Sequence, residues 1–412
     1  MKRKIDKVEL LAPAGNLEKL EIAICYGADA VYLAGKEFSL RSFADNFTIE
    51  ELAQAIPLAH ENGVKVYLAC NIFSRNFEQK SISECLRQIA ALSPDAIIIS
   101  DPGIFLETRK IIPDIPVHLS TQANTTNYRA VRFWQNLGVK RVNLARELSL
   151  QEVAGIAEKT DVELEAFVHG AMCISYSGRC LLSNIMAERD SNRGLCAQPC
   201  RWKYAVVEET RPGQYFPIEE DDRGTYIFNS RDICMLGHMP QLIESGLTSL
   251  KIEGRMKSIN YLASAVKVYR EAIDAYYMDP ASFQVTPEWT RELSQINRRG
   301  YCTGFYLNQK KELTPNISGI LPSPEHLFLG KVLYAVGTDQ VTLEVRNKIQ
   351  RGDEIEVFSP KGPVKCDIII AIFDSNGQPK SSAQPGSRVT LKLQSTYHSN
   401  DLIRKNAVPF CV

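Results

Sequence analysis

Eight short apolar segments recur along residues 8–253, and stretches with helical periodicity lie between them. Most are continuous runs rich in Val, Ile, Leu and Tyr, which is typical of parallel strands buried on both faces. Repeated alternation of strand and helix predicts parallel pairing with right-handed crossovers. The predicted strands are Val8–Ala12, Asp29–Ala34, Val64–Cys70, Asp95–Ser100, Pro116–Ser120, Arg141–Ala145, Val162–Val168 and Ser249–Glu253.

Eight strands are what a (β/α)8 barrel requires, and the roughly 250 residues they occupy are typical of that fold. An open doubly wound sheet is the alternative, but the first strand–helix turn, Ala12–Asn16, lacks its GxGxxG phosphate loop. Thr48–Asn62 and Ser149–Lys159 have amphipathic helical patterns, and Ser149 with Glu152 gives a capping-box signal. We therefore predict an α/β protein built on a TIM-like (β/α)8 barrel.

One connection and one terminal region depart from this alternation. The connection between the seventh and eighth strands spans about eighty residues, 169–248, and carries all five of the clustered cysteines. Beyond a long helical pattern at Ser258–Met278, the sequence from about Leu327 changes to short alternating strands separated by Gly, Asp, Asn and Pro. We predict a barrel domain at 1–325 with a Cys-rich insertion, and a small antiparallel β-barrel domain at 326–412.

The composition is that of a soluble globular protein. The 412 residues contain 48 Lys plus Arg and 48 Asp plus Glu, so no overall field attracts nucleic acid and any RNA contact needs a local patch. The apolar part of the N-terminal segment is too short for a signal peptide, and no window approaches a membrane span. These features predict a cytoplasmic protein with Cys25, Cys70 and Cys85 buried as reduced thiols.

Five cysteines lie close together in polar, glycine-containing sequence: Cys173, Cys180, Cys196, Cys200 and Cys234. Such crowding without a secretion signal favours metal binding over disulfides. The spacing lacks the paired C-x2-C knuckles of a structural zinc site, whereas iron–sulfur clusters tolerate irregular spacing on a folded scaffold. An iron–sulfur cluster is therefore the preferred cofactor, with zinc as the alternative, and one of the five thiols is spare.

Polar side chains follow nearly every predicted strand, where a barrel places its active site. Together they favour a pocket for a small anionic molecule, with Arg146, Arg255 and Lys257 as carboxylate clamps. His169, Glu253 and Asp101 are the candidate catalytic groups. The substrate-binding candidates are Asn71, Gln122, Asn124, Arg146, Arg255 and Lys257.

Other motifs are weaker. Basic and aromatic residues alternate at Arg201–Tyr204 and Arg298–Tyr301, either of which could stack a base. Neither HExxH nor GxSxG occurs. Cys173 with His169 could serve as nucleophile and base, although metal ligation is the better use for a clustered thiol.

The segments LLAPAGNLEKL, GADAVYLAG, HLSTQANTTN, FVHGAMCISYSGRCLLS, GLCAQPCRWKY and LKIEGRMKS closely resemble peptidase family U32. The resemblance implies a barrel with a C-terminal β-domain, and it is strongest to the branch that forms 5-hydroxyuridine at the wobble position of tRNA. That branch implies a [4Fe–4S] cluster, prephenate as co-substrate and tRNA as partner. By motif position the ligands would be Cys173, Cys180, Cys196 and Cys234, with Cys200 as the alternative fourth.

Three kinds of function remain open at this stage. The first is an iron–sulfur hydroxylase acting on tRNA, or alternatively on rRNA or a quinone precursor as other family branches do. The second is a collagenase-like peptidase, as the family name implies. The third is an accessory protein working with a separate catalytic subunit, including a homo- or hetero-oligomer with another U32 protein. The cysteines and the missing protease motifs favour tRNA hydroxylation.

Overall fold

The computed structural model describes residues 7–36, 46–173, 175–177, 180–193, 195–199, 219–221, 224–226, 231–297, 300–307 and 326–406. Cys200, Arg201–Tyr204 and Arg298 therefore lie outside the described residues. Among the helices that are described, none combines the length and the apolar character that crossing a membrane requires.

Eight parallel strands form a closed barrel, which confirms the predicted fold. Each of the first seven pairs in parallel with its successor, and the eighth barrel strand pairs in parallel with both the first and the seventh. The barrel strands are β1 (Glu9–Pro13), β2 (Ala30–Leu33), β3 (Lys65–Cys70), β4 (Ala96–Ile99), β5 (Val117–Leu119), β6 (Arg141–Asn143), β7 (Glu163–Ala171) and β11 (Ser249–Ile252).

Helices alternate with these strands on the outside of the barrel. The predicted capping box at Ser149 is present, since its hydroxyl accepts from the backbone N–H of Glu152. Thr48 caps α2 with a capping box of the same kind. The helices are α1 (Leu17–Cys25), α2 (Ile49–Glu61), α3 (Gln79–Leu92), α4 (Pro102–Ile111), α5 (Tyr128–Asn136), α6 (Leu150–Ala157), α7 (Leu182–Ala187), α8 (Met239–Glu244), α9 (Ile259–Met278) and α10 (Pro287–Gln295).

The long connection after β7 contributes a further strand to the barrel sheet. It contains the hairpin β8 (Glu219–Asp221) and β9 (Gly224–Tyr226), followed by β10 (Asp232–Cys234), which pairs antiparallel with β7. The short strand β12 (Tyr301–Cys302) pairs with β10. Because β10 supplies these backbone partners, β7 continues to Ala171, beyond the predicted end at Val168.

A buried charge cluster fills the lower part of the barrel. We call Glu9, Arg141, Glu165 and Lys251 the floor cluster. Lys251 Nζ lies 2.7 Å from Glu165 Oε1, and Arg141 contacts both Glu9 and Glu165. Burial alone would raise the pKa of Glu9, but the Arg141 guanidinium lowers it below its ordinary value. The cluster therefore joins four strands through paired charges.

The C-terminal region forms an antiparallel sheet of eight strands in the order β17-β16-β22-β13-β14-β21-β18-β19, shaped as a half-barrel. Its strands and those of a small pair beside it are β13 (His326–Val336), β14 (Gln340–Val345), β15 (Ile349–Gln350), β16 (Glu354–Phe358), β17 (Lys365–Ile368), β18 (Ala371–Phe373), β19 (Pro379–Lys380), β20 (Ser382–Ala383), β21 (Arg388–Lys392) and β22 (Leu402–Asn406).

A second buried charge group joins this sheet to the barrel. The guanidinium of Arg404, 1% exposed, donates to both carboxylate oxygens of Glu292 at 2.6 and 3.1 Å. Tyr26 donates to the carbonyl of Phe358 at 2.7 Å. Such bidentate, desolvated contacts hold the sheet against helices α1, α9 and α10.

Candidate functional site

A cavity of about 180 Å³ opens at the carboxyl ends of the barrel strands. We call it the mouth cavity. Strands β2 to β4 and β7 contribute apolar and aromatic walls, and the loops after β5, β6 and β11 contribute polar groups. The predicted site residues that line it are Asn71, Gln122, Arg146, Glu253, Arg255, Cys173, Cys180 and Cys196.

Gly15 and Gly170 allow the loops around the mouth cavity to approach closely. A Cβ at Gly15 would lie 2.7 Å from the carbonyl oxygen of Arg255, so the first strand–helix turn packs directly on the loop after β11. Gly170 has a φ of +106°, and a Cβ there would lie 2.7 Å from the carbonyl oxygen of Glu253. Because they lack a side chain, Gly15 and Gly170 thus permit the backbone contacts that position Arg255 and Glu253.

Arg146 is the clearest candidate for binding an anion. Its guanidinium carbon lies 4.1 Å from the ring centroid of Phe167, and its Nε is buried without a hydrogen-bond partner among the described residues. The adjacent Glu147 accepts from the backbone N–H and the hydroxyl of Ser177, at 2.8 and 3.1 Å. Glu147 therefore fixes the turn at 175–177 to the loop after β6 that carries Arg146, and the stacking on Phe167 orients the Arg146 side chain.

Lys251 and Phe167 line the mouth cavity but were not among the predicted site residues. Lys251 lies under the cavity, with its Nζ 4.4 Å from the ring centroid of Tyr32 and 5.5 Å from that of Phe167. Burial lowers the pKa of Lys251, although Glu165 partly opposes the shift. One signal could have revealed it: a lone lysine within an apolar strand must find a buried partner.

Three of the predicted cluster ligands share the mouth cavity. Cys173 is exposed to it, and Cys180 and Cys196 are partly buried beside it. Although Cys173 faces the cavity, the surrounding protein partly desolvates its thiol and so raises the pKa of that thiol. Burial also opposes ionisation of Cys180, but hydrogen bonds from Ser175, the backbone of Leu182 and Ser191 outweigh it and lower the pKa of that thiol. Cys180 is thus stabilised as a thiolate, the form that binds metal.

Cys234 lies elsewhere. It is opposite His169 in the β7–β10 pair, and the hydroxyl of Tyr269 in α9 donates to its Sγ at 3.8 Å. Across the described ranges, no group of three or more His, Cys, Asp or Glu side chains is arranged to hold a metal ion. The fit to four thiolates is therefore partial: three thiols line one cavity, and the fourth must be Cys234, which faces α9, or Cys200, which lies outside the described residues.

His169 is fully buried behind the mouth cavity. Its ring centroid lies 5.4–5.7 Å from those of Tyr261, Tyr269 and Tyr301, and neither ring nitrogen has a hydrogen-bond partner among the described residues. Burial, reinforced by Lys257, lowers the pKa of His169 to about 3. The structure thus places His169 as a neutral ring within an aromatic cluster, and it is not paired with Cys173.

The remaining predicted residues also lie outside the cavity lining. Asp101 caps α4, where its carboxylate accepts from the backbone N–H groups of Ile104 and Ser74 at 3.0 and 3.1 Å. Asn124 ends a short 3-10 helix with a φ of +53°. Lys257 has its Nζ 5.1 Å from the ring centroid of Tyr261. These residues shape the loops of the rim rather than the cavity surface.

Eight cysteines of the described part are free thiols, and two details differ from expectation. Cys25 is exposed, because it ends the outer helix α1, although it was predicted to be buried. Cys366 in β17 is disulfide-bonded. Cys70 is buried as predicted, and Cys85 is partly buried.

Comparison with known proteins places this architecture in a family. The model of peptidase family U32 matches residues 15–315, and that of the peptidase family U32 C-terminal domain matches residues 324–404. The tRNA hydroxylation protein P1 of Bacillus subtilis (strain 168) is 42% identical over 401 residues, which cover 97% of this chain and 95% of that protein.

Two further relatives carry different names. A 23S rRNA 5-hydroxycytidine synthase of Escherichia coli (strain K12) is 30% identical and covers 85% of this chain and 52% of its own length. A collagenase of Porphyromonas gingivalis (strain ATCC BAA-308 / W83) is 28% identical over 96% of this chain and 97% of that protein. With the barrel and the C-terminal sheet both matched, this chain belongs to peptidase family U32.

Proposed function

We propose that this protein is a tRNA hydroxylase that forms 5-hydroxyuridine at the wobble position, using a [4Fe–4S] cluster and prephenate. The observation that carries the proposal is that three cysteines and Arg146, whose Nε has no hydrogen-bond partner among the described residues, line one cavity at the mouth of the barrel. A relative named as a tRNA hydroxylation protein is 42% identical over nearly the whole chain, and another is named as an RNA hydroxycytidine synthase. We place the activity in the cytoplasm.

The chemistry asked of the mouth cavity is an oxidation. Replacing the C5 hydrogen of uridine with a hydroxyl inserts an oxygen atom and removes two electrons from the base, so the site must hold a redox centre and a co-substrate that supplies the oxygen and accepts the electrons. Thiolates at the cavity wall are suited to the first role, and the proposal assigns the second to prephenate. In this proposal Cys173, Cys180 and Cys196 hold the cluster, with Cys234 or Cys200 as the fourth ligand. When bound, such a cluster supplies one-electron redox chemistry.

The cations of the mouth cavity suit an organic dianion such as prephenate. Arg146 and Arg255 are both positioned at the cavity wall, and Lys251 lies beneath it. A desolvated guanidinium binds a carboxylate more strongly than a neutral donor does. Within the described part of the chain the Nε of Arg146 has no hydrogen-bond partner, so a carboxylate at that position would gain a charge-assisted hydrogen bond without displacing one of these residues.

The peptidase alternative has one supporting observation, the collagenase relative at 28% identity. A cysteine peptidase needs a thiol and a general base within hydrogen-bond reach. Cys173 and His169 do not form such a pair, since the His169 ring nitrogens contact no polar group among the described residues. Its pKa of about 3 also makes His169 a weak base. We therefore rank RNA hydroxylation first.

The test is nucleoside analysis of tRNA. Anaerobically purified protein is loaded with iron and sulfide and incubated with tRNA from cells that lack the modification, with and without prephenate. Hydrolysed tRNA is then analysed by mass spectrometry for 5-hydroxyuridine. Accumulation of the nucleoside only with both protein and prephenate would support the proposal. Cleavage of a collagen peptide by the same preparation, with unmodified tRNA, would replace it with the peptidase.

The fourth ligand has its own test. Cys234→Ser and Cys200→Ser are compared for iron bound per chain and for cluster absorbance after anaerobic purification. We expect one substitution to lower both values and the other to leave them unchanged. Cys302→Ser is the matched control, because Cys302 is a buried thiol near Cys234 that is not a proposed ligand.

A further inference from the structure

The outer wall of the barrel carries a compact group of cations around one tyrosine, on helix α5 and just after helix α6. Tyr128 begins α5, and the guanidinium carbons of Arg129 and Arg132 lie 5.9 and 5.6 Å from its ring centroid. Lys159, just after α6, places its Nζ 4.7 Å from the same centroid. Phe133, which is 59% exposed, lies on the next turn of α5. We call these five residues the α5 basic surface.

This charge is not neutralised within the protein. Arg129, Arg132 and Lys159 are exposed, and none of them forms an ion pair with a carboxylate in the part of the chain that the structure describes. Their internal hydrogen bonds are to the Tyr128 hydroxyl at 3.2 Å, from Arg129, and to the Lys159 carbonyl at 2.8 Å, from Arg132. Neither acceptor carries a formal charge.

Several cations elsewhere in the described part of the chain are paired with carboxylates. Arg141, Arg193 and Arg270 each contact a carboxylate, and acidic and basic residues are equal in number overall. Three like charges around one ring repel each other, so the arrangement favours an external anion. The hydrogen bond from Arg129, together with the charge of the neighbouring cations, lowers the pKa of the Tyr128 hydroxyl, as expected from excess positive charge.

The position of the surface relates it to the mouth cavity. Gln122 lines the cavity, and Tyr128 follows it by six residues, which span at most about 21 Å. Polyanions that combine phosphates with stackable bases are nucleic acids, and exposed aromatics between cations are the usual means of holding single-stranded segments. A loop of RNA lying over the rim could reach both regions.

From this arrangement we propose that the α5 basic surface binds the phosphate backbone of the RNA substrate, with the exposed Phe133 available to stack a base of the same RNA. The proposal rests on the proposed function, because it assumes that RNA enters the mouth cavity. Arg129, Arg132 and Lys159 act here as positioning residues: they hold the RNA and do not touch the reacting base.

The test is the salt dependence of tRNA binding by the full-length protein. Unmodified transcript of a tRNA with a wobble uridine is titrated at several KCl concentrations, with fluorescence anisotropy as the readout. Each phosphate contact contributes roughly 0.7–0.9 to the slope of log K against log salt. The triple variant Arg129→Ala, Arg132→Ala, Lys159→Ala should therefore lower the slope by about 2 and weaken binding at least tenfold at low salt.

Two further variants keep the result interpretable. The triple variant Arg129→Lys, Arg132→Lys, Lys159→Arg retains the charge and should bind within about threefold of the wild type, since phosphate contact is largely a charge effect. A control removes Lys348, Arg351 and Arg388, exposed cations of the C-terminal region. Its slope should match the wild type.

The outcomes separate this proposal from the proposed function. If wild-type protein binds and hydroxylates tRNA but the alanine variant keeps its affinity and slope, the α5 basic surface is not the binding surface. The same conclusion follows if the C-terminal control loses as much. If the wild type neither binds nor modifies tRNA, the proposed function itself fails.

Discussion

At the floor of the barrel, Arg141 and Lys251 meet Glu9 and Glu165, whereas at the mouth the buried Nε of Arg146 has no hydrogen-bond partner among the described residues. The same eight strands carry both regions. At the floor every charge is used within the fold, and the chain gains a fixed arrangement of strands. At the mouth, the thiols are free and the Nε of Arg146 has no partner among the described residues. The stability of the fold does not require these groups.

This difference between floor and mouth indicates where a ligand can gain binding free energy. A buried donor without a partner costs free energy in the unliganded protein, which a ligand can recover. The junction between the barrel and the C-terminal sheet resembles the floor, since Arg404 forms a two-point ion pair with Glu292, although its Nε has no partner among the described residues. Substitutions at the floor and the junction should therefore change stability, and those at the mouth should change activity.

The largest effect is expected at the mouth thiols. Cys180→Ser should reduce bound iron and 5-hydroxyuridine formation to background, because serine cannot replace a thiolate that the surrounding hydrogen bonds stabilise. Its melting temperature should stay within a few degrees of the wild type when both lack the cluster. Cys25→Ser, at the exposed end of α1, is the control and should keep full activity. A Cys180→Ser protein that still modifies tRNA would remove Cys180 from the site.

Next in size is the floor. Arg141→Met should lower the free energy of unfolding by about 3–5 kcal/mol, because it leaves Glu9 and Glu165 buried without one of their partners. Urea denaturation followed by circular dichroism measures the change. Arg351→Met, at an exposed position, should lose less than about 0.5 kcal/mol. A similar small loss for Arg141→Met would show that the floor cluster does not stabilise the barrel.

A smaller effect should separate Arg146 from Arg141. Arg146→Met should weaken prephenate binding by about 1–3 kcal/mol, the range for a lost hydrogen bond to a charged group and the unpaired acceptor it leaves. Stability should change little, because Arg146 Nε has no internal hydrogen-bond partner to lose. Calorimetric titration measures the affinity, with Arg87→Met on the outer face of α3 as control. Unchanged affinity would exclude Arg146 from the anion site.

The smallest effect concerns the junction and pH. Burial, and then Arg404, lowers the pKa of His326 to about 4. Below about pH 6.5 the unfolded chain takes up a proton that the folded chain refuses until about pH 4. Stability should therefore be complete above pH 6.5 and fall on acidification, with His326 contributing about 1 kcal/mol of the loss between pH 7 and 5.5.

His326→Gln should remove this contribution from the pH dependence of the unfolding free energy. His398→Gln, at an exposed position, should leave the curve unchanged. Parallel curves for wild type and His326→Gln would show that His326 takes up its proton equally in both states.

The sequence predicted the barrel because its evidence is local. Buried parallel strands appear as apolar runs, and Ser149 with Glu152 marks the start of the helix that Ser149 caps. Strand β10 could not be predicted in the same way, since three residues carry no periodicity and their pairing with β7 depends on tertiary contact. The extension of β7 to Ala171 follows from that contact as well.

The candidate site was predictable to a similar extent. Rim position identified Asn71, Gln122, Arg146, Glu253 and Arg255, because strand ends of a barrel meet at one face. It did not distinguish them from His169 and Asp101, whose side chains turn into an aromatic cluster and a helix cap. That distinction depends on side-chain direction, which polarity and spacing do not encode. Rim position cannot identify Lys251, because this residue lies within strand β11 and not at its end.

The metal content of the protein tests most directly whether the mouth cavity holds an iron–sulfur cluster. Full-length protein is purified without oxygen, and iron, acid-labile sulfide and zinc are measured together with the visible spectrum. We expect about four irons and four sulfides per chain with broad absorbance near 400 nm, and we expect Cys173→Ser to lose all three. One zinc per chain without sulfide would contradict the iron–sulfur assignment and make the peptidase the preferred function.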